Sequence, residues 1–166
     1  LVEEAITAYP GTGAICGLCT GSGAVALALA HALPHTQVVG IDISEQALYW
    51  AERNLSSLQL ANVTFFQGDL LRPLTPDMRF SLLTANPPYV AQQEYLQLPP
   101  VIRKHEPRLA LEAGHDGLDI IRRIVQESRP YLLPDATLLL EIGSEQGPAV
   151  LQILSAAGYD DCRIIK

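Results

Sequence analysis

Short apolar runs alternate along the chain with longer segments in which apolar residues recur at helical spacing. The runs contain few polar residues, a pattern typical of parallel strands that are buried on both faces. They predict strands at Ala14 to Leu18, Gln37 to Asp42, Val63 to Gln67, Phe80 to Ala85 and Thr137 to Ile142, and a sixth that begins in Tyr159 to Ile165.

The segments between these runs predict helices. Leu48, Ala51 and Leu55 share one stripe of a helix from Glu45 to Leu58. Asp116 suits a helix N-cap, because its carboxylate can accept the free N–H groups of a first turn. The other helices are predicted at Ser22 to Leu33, Asp116 to Leu132 and Gly147 to Ala157, and the opening residues read as the last turns of an acidic helix. The alternation of strands and helices predicts an α/β fold, Rossmann-like, with a mostly parallel sheet.

One long stretch, from Asn86 to His115, shows neither the helical nor the strand-like spacing of apolar residues and is predicted to be irregular. A loop of about 30 residues is uncommon inside a compact domain and is usually functional. This one directly follows a predicted buried strand. Ligands of open α/β sheets bind beyond the carboxyl ends of the strands. The pattern therefore indicates a functional site from residue 86 onward.

Length and composition narrow the class of protein. The chain has 166 residues, 48% of them hydrophobic and 17% charged, which predicts one well-packed domain over residues 1–166. No apolar run approaches the roughly 18 residues of a membrane span, so no membrane partner is expected. The net charge of -7 argues against nucleic acid as the direct substrate, because phosphate binding needs a basic face. Three cysteines form no disulfide framework, which favours a reducing cytoplasm.

A glycine-containing turn separates the first strand from the first helix. Thr20, Gly21, Ser22 and Gly23 form this turn, and glycines let a backbone approach a ligand and present helix N-terminal N–H groups to it. An ordinary tight turn would use the same residues. Asp42 strengthens the ligand interpretation, since an acidic residue at the end of the second strand can accept both ribose hydroxyls. Its alternatives are a helix cap and a solvated turn.

Asp69 follows the third strand, where a carboxylate or a neighbouring backbone group can meet an adenine amine. An ordinary turn aspartate is the alternative. These features suit a dinucleotide or S-adenosyl-L-methionine equally well.

The choice between these two cofactors depends on the next segment, Asn86-Pro87-Pro88-Tyr89. The two prolines fix φ and remove two donors, so that nearby carbonyls point outward. The Asn86 side-chain oxygen and a proline carbonyl can accept the two hydrogens of a planar NH₂ group, and Tyr89 offers an aromatic face. Holding such a nitrogen in line with a methyl donor removes an entropic barrier of several kcal/mol. This arrangement predicts methyl transfer to a conjugated amine or amide, without a metal.

The residues after this segment add a family resemblance. They read Glu106-Pro107-Arg108-Leu109-Ala110-Leu111, then Gly114, Asp116-Gly117-Leu118-Asp119 and Arg122-Arg123-Ile124. With Asn-Pro-Pro-Tyr, this run resembles the release-factor glutamine N5-methyltransferases, the HemK/PrmC family, over nearly the whole chain. The resemblance implies a class I S-adenosylmethionine-dependent methyltransferase fold of seven strands and transfer to the Gly-Gly-Gln glutamine of peptide-chain release factors.

The resemblance also implies residue roles. Asn86, Pro87, Pro88 and Tyr89 would hold the glutamine amide, with Asn86, Pro87 and Tyr89 as the catalytic residues. The cofactor would contact Cys19, Thr20, Gly21, Ser22, Gly23, Asp42, Ile43, Asp69, Leu70 and Asn86.

The chain departs from the family pattern in three respects. Gly17 stands where the family has an aspartate, and Cys19 where it has the first glycine of Asp-Leu-Gly-Thr-Gly-Ser-Gly. Both departures are expected to weaken cofactor binding. Leu70 replaces a common bulky aromatic residue, which predicts thinner packing on adenine. The family's N-terminal helical domain and a last strand are expected to lie outside this chain.

Two further readings of the chain stay open. Asn-Pro-Pro-Tyr also occurs in adenine-N6 methyltransferases, which would need base stacking and a basic channel. The other is a cofactor-binding interaction module without activity, which the residues Gly17 and Cys19 suggest.

Other residues invite weaker hypotheses. Cys16 and Cys19 have a metal-like spacing, but zinc needs about four ligands, so a buried and a loop cysteine are expected. His105 and His115 are expected to be structural or exposed. Three arginines could form a partner patch or be solvated helix charges: Arg108, Arg122 and Arg123.

Overall fold

The computed structural model describes residues 1–165 and divides the chain into two compact units. The first unit comprises residues 1–86 and 128–140, and the second comprises residues 87–127 with 141 to the end of the chain. Among the described residues, no helix is long and apolar enough to cross a membrane.

The first unit contains a five-stranded parallel sheet in the order β3-β2-β1-β4-β5. The predicted α/β fold is confirmed. The strands are β1 (Ala14–Leu18), β2 (Val38–Asp42), β3 (Val63–Gln67), β4 (Phe80–Ala85) and β5 (Leu132–Leu140). Three helices belong to the same unit: α1 (Val2–Ala8), α2 (Ala24–Ala32) and α3 (Glu45–Leu58).

The core of this unit lies between the sheet and the helices α1 and α2. Ala5, Leu29, Ile15 and Leu82 are fully buried in it. All six residues of β4 are buried, and four of the five residues of β1. Two adjacent central strands with both faces covered produce the continuous apolar runs seen in the sequence. Their carboxyl ends are consequently fixed in position.

Asn62 fastens the segment between α2 and β2 to the start of β3. Its buried side-chain nitrogen donates hydrogen bonds to the carbonyls of Ala30 (3.0 Å), Leu33 (3.2 Å) and Thr36 (2.9 Å). Two of these carbonyls lie at the carboxyl end of α2, where helical carbonyls lack partners. One side chain therefore satisfies three carbonyl groups.

Replacing Asn62 by alanine is expected to lower the free energy of unfolding by about 2–3 kcal/mol, because buried carbonyls lose their donor. The measurement is urea denaturation. Gln46→Ala removes an exposed amide from α3 and is the matched control, with an expected change within about 0.5 kcal/mol. Equal midpoints for the two variants would contradict the assigned role of Asn62.

The second unit corrects the prediction that Asn86 to His115 is irregular. It contains α4 (Gln92–Gln97), α5 (Pro100–His105) and a 3₁₀ turn at Arg108–Ala110. Pro100 occupies the first turn of α5, where its missing N–H costs nothing. Helices of six residues are too short to show a period, and packing rather than propensity stabilises them. Here Tyr95 is buried, and the Arg108 guanidinium lies 5.2 Å from the centre of its ring.

Two further helices complete the second unit: α6 (Asp119–Ser128, whose last residue falls in the first unit) and α7 (Gly147–Ala156). The prediction that a helix starts at Asp116 was wrong. The Asp116 carboxylate instead accepts from the Leu118 N–H (3.2 Å) and from Arg122 (3.0 Å). The hydrogen bond from Arg122 lowers the pKa of that carboxyl to about 2. The helix ends at Ser128 and gives way to a 3₁₀ turn at Arg129–Tyr131.

Two strand predictions also change. β5 begins at Leu132 rather than Thr137, and the residues between them bulge out of its pairing with β4, with Asp135 at φ 62°. The sequence Leu-Pro-Asp-Ala looks like a turn and hides this earlier start. No strand forms over residues 159–165, so the predicted sixth strand is wrong in the described part of the chain. Lys166 lies outside the described residues.

Candidate functional site

The turn after β1 is built from residues with left-handed backbone conformations. Cys19 has φ 52°, Gly21 φ 58° and Gly23 φ 81°. The Thr20 N–H donates to the Ile41 carbonyl of β2 (3.0 Å). Glycine adopts positive φ freely, whereas a residue with a Cβ is strained there. The turn therefore runs across the carboxyl end of the sheet with a strained residue, Cys19, at its entrance.

Asp42 organises this turn with both oxygens of its carboxylate. Oδ2 accepts from the Gly21 N–H (2.7 Å), and Oδ1 accepts from the Ser44 N–H (2.9 Å). The cap of α3 is Ser44, whose hydroxyl accepts from Ala47 (3.2 Å). The helix-cap alternative for Asp42 is thus wrong. Each carboxylate oxygen can accept more than one hydrogen bond, so Asp42 keeps acceptor capacity for a ligand.

The surroundings of Asp42 fit a nucleoside. Ile43, directly after it, is 49% exposed and offers an apolar surface. A Cβ added to Gly21 would meet no atom within 4 Å, so there is open space above the turn. The Thr20 hydroxyl is buried and has no hydrogen-bond partner in the described part of the chain. A carboxylate, an apolar surface, free space and an unsatisfied hydroxyl are all consistent with the cofactors predicted from the sequence.

Two residues after β3 were expected near the adenine. The Asp69 carboxylate lies 3.2 Å from the Arg72 guanidinium. Leu70 has φ 52° and is 7% exposed. This geometry leaves the role of both residues a prediction, with the apolar Leu70 side chain already packed and the Asp69 charge balanced by Arg72.

Asn86 is exposed at the end of β4, immediately after six buried residues. Its side chain has no hydrogen-bond partner within residues 1–165, and neither has the Pro87 carbonyl. Pro88 lacks an N–H, and Pro87 is buried. These two consecutive residues therefore each have an acceptor oxygen without a partner within residues 1–165, and an oxygen of either kind can accept a hydrogen of an NH₂ group. Tyr89 is half-buried.

Cys16 was expected to be buried, and His105 and His115 were expected to be structural or exposed. Burial raises the pKa of the Cys16 thiol far above its usual value. Cys16, Cys19 and Cys162 are not joined in disulfides, and no group of three or more potential metal ligands occurs within the described residues 1–165. His105 and His115 are exposed.

The three arginines have carboxylate partners within their own segments. Arg108 pairs with Glu112, Arg122 with Asp116 and Asp119, and Arg123 with Glu127. Their charges are balanced locally, which favours solvated helix charges over a partner patch.

Two polar residues that the sequence did not single out support the predicted site. The Asn54 side chain of α3 donates to the Ser22 carbonyl of the turn (3.0 Å). The Gln146 side chain donates to the Tyr89 carbonyl (2.8 Å). Their partners lie 32 and 57 residues away along the chain, so no local period or motif could indicate either contact.

Known proteins resemble this chain in both sequence and structure. A family described as "Methyltransferase domain" matches residues 15–102. The chain is 43% identical, over 98% of its length, to a protein of Geobacter sulfurreducens named release factor glutamine methyltransferase, and covers 56% of that protein. It is also 40% identical, over 81% of its length, to a Burkholderia pseudomallei protein named ribosomal protein uL3 glutamine methyltransferase, covering 46% of it. The chain thus spans about half the length of these relatives.

A solved structure of similar fold is the ribosomal protein L11 methylase from Lactobacillus delbrueckii subsp. bulgaricus. It has a TM-score of 0.69 and 20% identity, with 99% of this chain and 69% of that chain covered. This likeness shows a shared fold. The family resemblance read from the sequence is confirmed by relatives such as the Geobacter sulfurreducens protein, at 43% identity over 98% of this chain.

Proposed function

Because the chain belongs to the methyltransferase-domain family, we propose that it transfers a methyl group from S-adenosyl-L-methionine to the side-chain amide nitrogen, N5, of a glutamine in a peptide-chain release factor. The observation that carries this proposal is the pair of free acceptor oxygens at Asn86 and Pro87, directly after β4. The similarity to proteins named release factor glutamine methyltransferase supports the choice of acceptor. A reducing cytoplasm would suit a chain whose three cysteines are not joined in disulfides.

The turn after β1 would hold the cofactor. Asp42 would accept the ribose hydroxyls on its remaining lone pairs, and Ile43 would lie against the base. Gly21 leaves space for the ligand, and the Thr20 hydroxyl would gain the hydrogen-bond partner that it lacks. When bound, the cofactor supplies a methyl group on a positively charged sulfur. Asp69, Leu70 and the turn residues Cys19, Ser22 and Gly23 would complete its surroundings.

Asn86 and Pro87 would hold the substrate amide. Its nitrogen has two hydrogens and a delocalised lone pair, which makes it a poor nucleophile. The Asn86 side-chain oxygen and the Pro87 carbonyl would each accept one hydrogen and so fix the plane of the amide. Pro88 stiffens the segment, and the Tyr89 ring would pack on the amide face. As the amide nitrogen bonds to the methyl carbon, the bond from that carbon to sulfur would break, and the nitrogen would then readily lose one proton to water, so that no strong base is required.

The departures at Gly17 and Cys19 give a testable consequence. Changing Cys19 to glycine together with Gly17 to aspartate is expected to tighten cofactor binding, since both changes restore the family's usual residues at the end of β1 and in the loop that follows it. Left-handed backbone costs a non-glycine residue about 1–2 kcal/mol, and Cys19 has φ 52°. A Cβ at Gly17 would lie 3.5 Å from the Thr84 hydroxyl, an ordinary contact.

Calorimetric titration with S-adenosyl-L-methionine measures this effect. Cys19→Ser is the matched control, because it removes the thiol but keeps the Cβ and its strain. A double variant that stays folded yet binds no better than the parent would refute the expected gain.

A transfer assay tests the proposed function itself. The protein in its full length is incubated with labelled cofactor and, separately, with a release factor, ribosomal protein uL3 and an adenine-containing oligonucleotide. Label on the release-factor glutamine supports the proposal. The uL3 arm is included because one relative carries that name. Transfer to uL3 alone would replace the substrate, and transfer to the oligonucleotide alone would replace the reaction. Cofactor binding without any transfer would favour an interaction module.

A further inference from the structure

Gln146 joins three backbone segments of the second unit through one side chain. Its Nε2 donates to the carbonyls of Tyr89 (2.8 Å) and Gly117 (3.2 Å). Its Oε1 accepts from the Gly143 N–H (2.9 Å). Both hydrogens of the amide and its oxygen are used, so the side chain is held in a single orientation. One of its partners, Tyr89, ends the segment proposed to bind the substrate amide.

Gly117 makes this junction possible by close approach. It has φ 74°, and a Cβ on it would lie 2.3 Å from the Tyr89 carbonyl oxygen and 2.8 Å from the Gln146 Nε2. No other residue fits there without displacing one of these atoms. The Tyr89 carbonyl, Gly117 and the Gln146 amide therefore form one tightly packed polar contact.

The chain after Tyr89 is held on its other side by backbone hydrogen bonds. The Val90 N–H donates to Leu111 (2.8 Å), the Ala113 N–H donates to Val90 (3.0 Å), and the Gln92 N–H donates to Gly114 (2.9 Å). These bonds fix the segment from residue 90 onward but leave the Tyr89 carbonyl to Gln146. Without Gln146, the peptide after Tyr89 would lose its side-chain donor.

We propose that Gln146 is a positioning residue, which holds the backbone at Tyr89 and thereby orients the acceptor oxygens of Asn86 and Pro87. This inference rests on the proposed methyl transfer to glutamine. The prolines make the segment stiff, so a restraint at Tyr89 is transmitted along the two preceding residues. Gln146 itself touches neither cofactor nor substrate in this role. It affects the rate through the alignment of the amide nitrogen.

Three substitutions separate hydrogen bonding from packing. Gln146→Ala removes the side chain, Gln146→Met keeps its length without polar atoms, and Gln146→Glu keeps an acceptor for Gly143 but loses both donated bonds. All three are expected to slow single-turnover transfer by about tenfold to a hundredfold, the scale of a misplacement near 1 Å. The dissociation constant of the cofactor should stay within about twofold. Gln152→Ala removes an exposed amide from α7, the helix whose N-cap is Gln146; this variant is the control and should match the parent.

Hydrogen exchange gives a readout that does not depend on activity. The N–H groups of Val90 and Gln92 are expected to exchange faster in Gln146→Met than in the parent. Their exchange rates should be unchanged in Gln152→Ala. Parental transfer rates in all three Gln146 variants would overturn the inference, as would equal losses in Gln152→Ala. If the parent itself methylates no glutamine, the proposed function fails. The exchange of Val90 and Gln92 then decides the positioning role alone: faster exchange supports it, and unchanged exchange overturns it.

Discussion

Replacing Asp42 by alanine is expected to weaken the binding of S-adenosyl-L-methionine by about 1–3 kcal/mol, the cost of losing hydrogen bonds to a charged group. This corresponds to a rise in the dissociation constant of roughly 5-fold to 150-fold. Two effects combine. The ribose hydroxyls lose their acceptor, and the turn loses the bond from Gly21 to the carboxylate (2.7 Å). Calorimetry on the parent and the variant measures the change.

Two controls separate a direct contact from general electrostatics. Glu45→Ala removes another negative charge three residues away, from an exposed position on α3, and should alter affinity little. A cofactor analogue without ribose hydroxyls should bind the parent less tightly than the natural cofactor does, but should lose little more in Asp42→Ala. Additive losses from the two changes would place the ribose elsewhere, because groups in direct contact show coupled energies.

The parts of the fold that the sequence predicted correctly are those with a recognisable local pattern of residues. The bounds of β1, β3, β4 and α3 agree with the predictions. β1 and β4 are central strands whose both faces are covered, so nearly every residue must be apolar. α3 begins after Ser44, whose side chain caps it. In each case, the force that forms the element acts on adjacent residues and leaves a visible local pattern.

The elements that were missed depend on distant contacts. α4 and α5 are six residues each, too short for a period, and the buried Tyr95 that anchors α4 has only the exposed Leu96 as an apolar neighbour in that helix. Asp116 resembles an N-cap by position, yet its carboxylate binds Arg122 on the helix itself. Side-chain partners of this kind are chosen by the folded structure rather than by spacing.

In the candidate site, too, some residues could be predicted from the sequence and others could not. Asp42 and Asn86 were recognisable, since each is a polar residue at the end of an apolar strand. The bonds that organise the turn and the segment after Asn86, from Asn54 and Gln146, were not. Polar residues at strand ends indicate a site because the carboxyl ends of parallel strands lie at the same edge of the sheet. The residues that position them carry no such signature.

The second large effect is expected on the rate of methyl transfer when Asn86 is replaced. Asn86→Ala is expected to lower the rate of methyl transfer at least about a hundredfold, with only a modest change in cofactor affinity. Two acceptors are needed to fix both amide hydrogens, and a misplacement of about 1 Å costs on the order of a hundredfold. The Asn86 side chain is exposed and has no partner within residues 1–165, so its removal should not destabilise the fold. Gln37→Ala, an exposed amide just before β2, is the matched control.

Asn86→Asp is the sharper test, because it keeps the shape and an acceptor oxygen but adds a negative charge beside the substrate. The resemblance of Asn-Pro-Pro-Tyr to the motif of adenine-N6 methyltransferases implies that aspartate or asparagine can stand at this position, so an enzyme acting on adenine should tolerate the change. The glutamine assignment expects a substantial loss of transfer to the release factor. Single-turnover transfer to a release factor and to an adenine-containing oligonucleotide, with the parent and both Asn86 variants, distinguishes the two. Since the charge changes while the size does not, a loss confined to the release factor would tie the amide to the Asn86 oxygen. A parent that methylates only the oligonucleotide would end the glutamine assignment.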